Sequence, residues 1–223
     1  MIKNLFFVNK CALCGKETDG ALCKSCRTPL RLLNFGLCNR CGKPIKNCIC
    51  KSLTKATVRI ISAYKFEEPA VTSLIYKLKS KGNKRVVRLL ADAMAEKFER
   101  EYANIAFDFI TFVPTSRAKL AQKGFDHAKL LAEKLSEKLN LPLALPPLKR
   151  RAGAAQKFLS RTGRLSNADS AFRLCRKETL CGTVLLIDDV TTTGATLSAC
   201  AELLSRAGAD KVYCLTGATT THK

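Results

Sequence analysis

The chain has 223 residues, 47% of them hydrophobic, and carries 39 Lys and Arg against 18 Asp and Glu, a formal net charge of +21. That length holds a medium domain with a buried core plus a small one. No apolar run reaches the roughly 20 residues of a membrane helix and Met1 to Lys10 lacks an apolar signal core, so a cytoplasmic protein without membrane insertion is expected; the surplus of positive charge favours a polyanionic partner, nucleic acid before anionic membrane.

Eight of the twelve cysteines lie before residue 56, in two blocks: Cys11, Cys14, Cys23 and Cys26, then Cys38, Cys41, Cys48 and Cys50. Both blocks open on Cys-x-x-Cys-Gly-Lys, an internal repeat. A Cys-x-x-Cys knuckle aims two thiolates at one tetrahedral ion, with Gly15 and Gly42 supplying the left-handed residue after it. The spacing predicts two four-thiolate zinc sites, structural because four thiolates leave no position open for water. Sequential pairing is the economical arrangement, and a cross-braced one stays open. Disulfides are disfavoured by knuckle spacing in a cytosolic chain. Eight thiolates and two zinc ions bring the net charge to about +17.

After a linker near Lys51 to Lys55, Val58 to Tyr64 reads as a strand and Glu67-Glu68-Pro69 as the start of a helix through Val71 to Leu78, ending in Lys77, Lys79, Lys81 and Gly82. Residues 84 to 102 form an amphipathic packing helix. Phe107 to Val113 is a strand stopped by Pro114. A basic loop follows from Thr115 to Phe125, and then a helix from about His127 to Asn140 with Leu130, Leu131, Leu135 and Leu139. Residues 149 to 177 hold glycines, nine Lys or Arg and one acid, Asp169, without sustained periodicity, and read as a mobile basic loop placed to close over a bound diphosphate.

Val184 to Ile187 is a four-residue apolar run bounded by Gly182-Thr183, the pattern of a strand buried on both faces. Asp188 and Asp189 are expected at its carboxyl edge, where open α/β sheets bind ligands. Thr191, Thr192, Thr193, Gly194, Ala195 and Thr196 then lead into a helix with Leu197, Cys200, Ala201, Leu204 and Ala207 on one face and Gly208 as its stop. Hydroxyls and backbone N–H groups at a helix start make a phosphate cradle, which a side chain at Gly194 would enter. The carboxylates can hold the vicinal hydroxyls of a ribose or a divalent metal. Lys211 to Thr216 is expected as a strand beside this one.

Residue for residue, Val184 to Thr196 resembles the 5-phosphoribosyl-1-pyrophosphate (PRPP) motif of the type I phosphoribosyltransferases. The resemblance implies an α/β fold with a mostly parallel sheet flanked by helices for residues 56–223, behind the small N-terminal double zinc ribbon that the knuckles predict for residues 1–55. It further implies Asp188 and Asp189 as the catalytic acids, PRPP with Mg²⁺ bound at Asp188 to Thr196, and pyrophosphate held by Arg117, Lys119 and Lys123, whose charges suit phosphate oxygens. Together with the knuckles, Lys123-Gly124-Phe125, Gln156 to Leu159, Arg164 and Asn167, the whole chain resembles the competence protein F (ComF) family. Members studied functionally take up and handle single-stranded DNA in natural transformation. That implies single-stranded DNA as a partner, with competence helicase and DNA-processing proteins. Asp126-His127 departs from the family's Asn-Gln, and an acid there is expected to weaken a nearby phosphate contact. Arg150, Arg151, Arg161 and Arg164 are the expected DNA-binding residues, with Phe35 and Phe158 as stacking surfaces. Two other roles remain open: a working phosphoribosyltransferase of nucleotide metabolism with an unidentified acceptor, and a zinc-ribbon scaffold for protein contacts.

Overall fold

A computed structural model describes residues 9–34, 36–151, 171–175 and 180–221. Among these, β1 (Thr57–Lys65), β2 (Phe109–Phe112), β5 (Thr183–Thr191) and β6 (Lys211–Thr219) form one sheet in the order β1-β6-β5-β2, with every pairing parallel. The motif strand β5 is therefore central, with Val184 to Ile187 fully buried, as a near-continuous apolar run requires.

Beyond a one-turn helix in the first cysteine block, α1 (Lys24–Arg27), helices cover both faces of the sheet. On one, α2 (Pro69–Lys81), α3 (Lys84–Tyr102) and α5 (His127–Leu139) pack their apolar stripes onto Ile61, Leu185, Ile187 and Leu215. On the other, α6 (Ala195–Arg206) packs Leu197, Cys200 and Leu204 onto Ile60, Val184, Leu186 and Val212. The helix ends follow the local signals: Pro69 opens α2 and Gly82 closes it in the left-handed region, and Asn140 does the same for α5.

The ribbon is not an appendage. Cys11, Ala12 and Leu22 belong to the first core and Cys41, Ile49 and Leu53 to the second. Lys77 Nζ of α2 donates to the carbonyls of Ala12 and Leu13 at 3.0 and 2.5 Å. Lys43 Nζ donates to Thr220 O at 2.5 Å, and the Glu67 carboxylate accepts from Thr221 N at 2.7 Å. The C-terminal stretch beyond β6 is thus tied both to the second cysteine block and to the loop before α2.

Three expectations need correction. The basic loop after β2 is a helix, α4 (Arg117–Lys123). Ser116 caps it by accepting from Lys119 N at 3.3 Å, and Gly124 ends it at φ 75°. The expected mobile segment begins and ends in structure: β3 (Leu148–Arg150) pairs antiparallel with β4 (Phe172–Leu174), because Leu148 and Phe172 are apolar anchors that bury against α6. Residues 152–170, with Gln156, Phe158, Arg161, Arg164 and Asn167, lie outside the described residues, as does Phe35. Finally, β5 does not end at the acids. Asp188 and Asp189 sit inside it, since pairing with β6 continues through Val190↔Ala218 and Thr191↔Thr219.

Candidate functional site

Because Asp188 and Asp189 are consecutive strand residues, they face opposite sides of the sheet. Both are buried, at 8% and 4% exposure. Asp188 turns toward α6, beside Cys200 and Cys214, and its Oδ1 accepts from Asp189 N at 2.8 Å. Burial, reinforced by the neighbouring Asp189 charge, holds its carboxyl well above the usual carboxylate range.

Asp189 turns toward α2 and α5. Its Oδ2 lies 3.0 Å from Lys79 Nζ and 3.2 Å from His127 Nε2, yet takes an aligned hydrogen bond from neither. Thr191, two residues on and so on the same face, has a buried hydroxyl that also lacks a hydrogen-bond partner among the described residues. Two orphaned acceptors side by side, with cations near, fit a ligand that brings hydroxyls or a hard metal ion. Burial keeps His127 below its ordinary value despite the pull of Asp189 and Asp126, so the imidazole is neutral at pH 7 and can donate or accept. Lys79 and His127 are site neighbours that sequence reasoning does not assign to the site; the family departure at 126–127 is the available signal.

Asp126 has a structural role. Its Oδ1 caps α5 by accepting from Ala128 N and Lys129 N at 3.0 and 3.3 Å, and its Oδ2 accepts from Thr115 N at 2.8 Å. Both carboxylate oxygens are thus committed to backbone: one fixes where α5 begins, and the other ties that point to Thr115, just before α4.

Of the expected pyrophosphate residues, Lys123 is engaged elsewhere, donating from Nζ to Lys79 O at 2.7 Å. Lys119 stands between the sites: partial burial lowers its pKa, followed by the charges of Arg150, Lys123 and Lys79, with Asp189 opposing them. Arg117 lines a cleft of about 450 Å³ together with Ser116, Lys149, Arg150, Arg151 and Arg173. Arg150 is held with its guanidinium 5.3 Å over the Phe172 ring. Among the described residues none of these five cations pairs with a carboxylate; the ion pairs lie elsewhere.

The threonine loop follows β5 as expected. Thr192 is exposed, Thr193 and Thr196 are half-buried, and Thr193 Oγ1 accepts from Ala195 N at 3.4 Å. Gly194, at φ 73°, is the N-cap of α6. A Cβ there would stand 2.6 Å from Leu53 Cδ2 and 3.1 Å from Ile49 Cδ1, so a side chain would strike the second ribbon rather than enter the cradle. Ser52 Oγ also donates to Thr193 O at 3.4 Å.

The cysteines assemble in the sequential pairing. The four sulfurs of Cys11, Cys14, Cys23 and Cys26 lie within 4.8 Å of one another, as do those of Cys38, Cys41, Cys48 and Cys50. Neighbouring Sγ atoms are 3.4 to 3.8 Å apart. Four sulfurs about 2.3 Å from one ion stand about 3.8 Å apart, whereas a disulfide needs about 2.05 Å, so the clusters fit zinc. Although burial raises the Cys11 and Cys38 thiols, knuckle N–H groups outweigh it and bring each down to about 6. Burial and the neighbouring thiols push Cys26 up to about 12.

Residues 2–56 match the model of the double zinc ribbon domain. The chain is 29% identical over 213 residues to DNA utilization protein YhgH of Escherichia coli, covering 92% of this chain and 88% of that one. It is 27% identical over 224 residues to competence protein F of Haemophilus influenzae, covering 93% and 95%. The resemblance to the competence protein F family holds. Solved phosphoribosyltransferases are similar over part of the chain: an adenine phosphoribosyltransferase at 16% identity and TM-score 0.41, covering 60% of this chain and 72% of that one, and the orotate enzyme of Aeropyrum pernix at 16% and 0.38, covering 62% and 73%. No helix among the described residues is long and apolar enough to cross a membrane.

Proposed function

We propose that this protein binds PRPP at the face of β5 carrying Asp189 and Thr191 and handles single-stranded DNA along the basic cleft, as a cytoplasmic protein of DNA uptake. The observation that carries the reading is the cleft itself. Five cations gather beside an acid-and-threonine strand end, and none of them has an acidic partner among the described residues. Such a surface is electrostatically costly until a polyanion fills it. The names of the relatives, a DNA utilization protein and a competence protein, point the same way. On this reading residues 1–55 are the double ribbon and 56–223 the phosphoribosyltransferase-like domain.

In the bound state Asp189 accepts from the ribose hydroxyls, Thr191 and the loop through Thr196 hold the 5-phosphate, and Arg117 and Lys119 face the diphosphate. Asp189 and Thr191 are the oxygen donors that would hold Mg²⁺, which when bound neutralises diphosphate charge. Lys79, 3.0 Å from Oδ2, orients the carboxylate, and neutral His127 leaves an acceptor free. Asp188, turned to the other face, supports the strand from behind through its bond to Asp189 N. Calorimetric titration with Mg-PRPP tests this: binding by the parent and its loss in Asp189→Asn, with folding unchanged, are expected. Equal binding by both would overturn the assignment.

A further inference from the structure

Arg117, expected from sequence to hold pyrophosphate, and Arg150 and Arg151, expected to hold DNA, are some 30 positions apart in the chain, yet they line one cavity. Arg117 enters from α4, Lys149, Arg150 and Arg151 from β3 and the residue after it, and Arg173 from β4. Ser116 and Arg117 follow β2, whose Phe112 pairs with Ile187 of β5. Thr115 just before them bonds to Asp126 at 2.8 Å, and the next residue, His127, lies 3.2 Å from Asp189, so the cleft opens beside the acid face of β5. At about 450 Å³ the cleft is near the low end of small-ligand pockets. It has room for a diphosphate or for one or two phosphates of a strand, and because the same cations line all of it, two polyanions there repel one another and compete for the same charges.

We infer that this one cleft receives either the diphosphate of PRPP or the backbone of single-stranded DNA, so that the two ligands exclude one another. The inference rests on the function proposed above and adds its regulation: sugar diphosphate bound at β5 empties the cleft of DNA, and by linkage DNA weakens sugar-diphosphate binding by the same factor. Lys149 and Arg173 are the new members of the site. Arg150 is fixed by its stacking on Phe172, so its charge is presented in one place and both ligands must use it there.

The experiment is competition on the full-length zinc-loaded protein, with fluorescence anisotropy of a labelled oligo-dT read at constant ionic strength while Mg-PRPP is added. At ten times its own dissociation constant, PRPP is expected to weaken strand binding about 11-fold, and the weakening grows linearly with concentration. Calorimetry on the same preparation fixes the PRPP constant. An unchanged strand affinity with PRPP bound overturns the shared cleft and leaves the proposed function standing. Failure to bind either ligand overturns both. As a second reading, Arg117→Ala with Arg173→Ala, both on exposed or half-exposed positions, is expected to weaken both ligands; weakening of only one of them also overturns the shared cleft.

Discussion

Leu53, three residues past the last zinc ligand, packs against Gly194 so closely that a Cβ on the glycine would meet its Cδ2 at 2.6 Å. The second ribbon is therefore the floor on which the threonine loop rests, and Gly194 adopts its φ of 73° there without strain because glycine has no Cβ.

Gly194→Ala is accordingly expected to destabilise the protein by about 1–3 kcal/mol, from overpacking together with left-handed strain. Leu53→Ala in the same chain should relieve the steric part and leave the backbone part. The double variant is then less destabilised than the sum of the singles, by about 0.5 kcal/mol or more in a double-mutant cycle. Urea denaturation of the four proteins checks it, and strict additivity would place Leu53 elsewhere.

Asp188 sets a pH dependence. Its folded pKa is raised well above 3.8, so from about pH 4 upward the folded state holds a proton that the unfolded state releases. This contribution therefore falls as pH rises toward the folded pKa. Asp188→Asn keeps the bond that Oδ1 accepts from Asp189 N and removes the buried charge, so it is expected to stabilise the fold by about 1–2 kcal/mol at pH 8 and by less at pH 5. Thermal unfolding at the two pH values reads the gap, and a gap that shrinks as pH rises would contradict it.

Two sulfur clusters predict two zinc ions per chain by elemental analysis. Removing a ligand of the second cluster, Cys48→Ser, should both release one ion and loosen the loop, because Ile49 and Leu53 on that ribbon hold Gly194. The expected readout is increased proteolytic cleavage in the 191–196 loop, with zinc content falling from two to one. Intact protection at one zinc per chain would separate the ribbon from the loop.

Local signals carry most of what is legible in the sequence. Knuckle spacing, the apolar run of β5, Pro69 and Gly82 around α2, and Gly208 after α6 each act within a few residues, and each appears in the fold. The helix α4 is not legible although Ser116 and Gly124 are ordinary cap residues, because its basic stretch has a single large apolar residue, Leu120, and hence no periodicity. Other features are non-local. His127 meets Asp189 from a helix packed on the same face of the sheet, and Lys149 pairs with Arg173 across the residues between. The opposite facing of Asp188 and Asp189 follows from strand alternation only once pairing with β6 is known to extend through Thr191; that extension depends on Ala218 and Thr219.

The central claim, that the basic cleft binds single-stranded DNA, is tested most directly by the salt dependence of oligo-dT binding in the parent and in a variant with Arg117, Arg150, Arg151 and Arg173 changed to Ala. Every phosphate that the variant no longer neutralises takes roughly 0.7 from the slope of log affinity against log salt on a single strand. A variant that binds more weakly, with a slope flatter by about 1–3 units, is the expected result. An unchanged slope in the variant would contradict the claim, as would a parent protein that binds no strand at moderate salt.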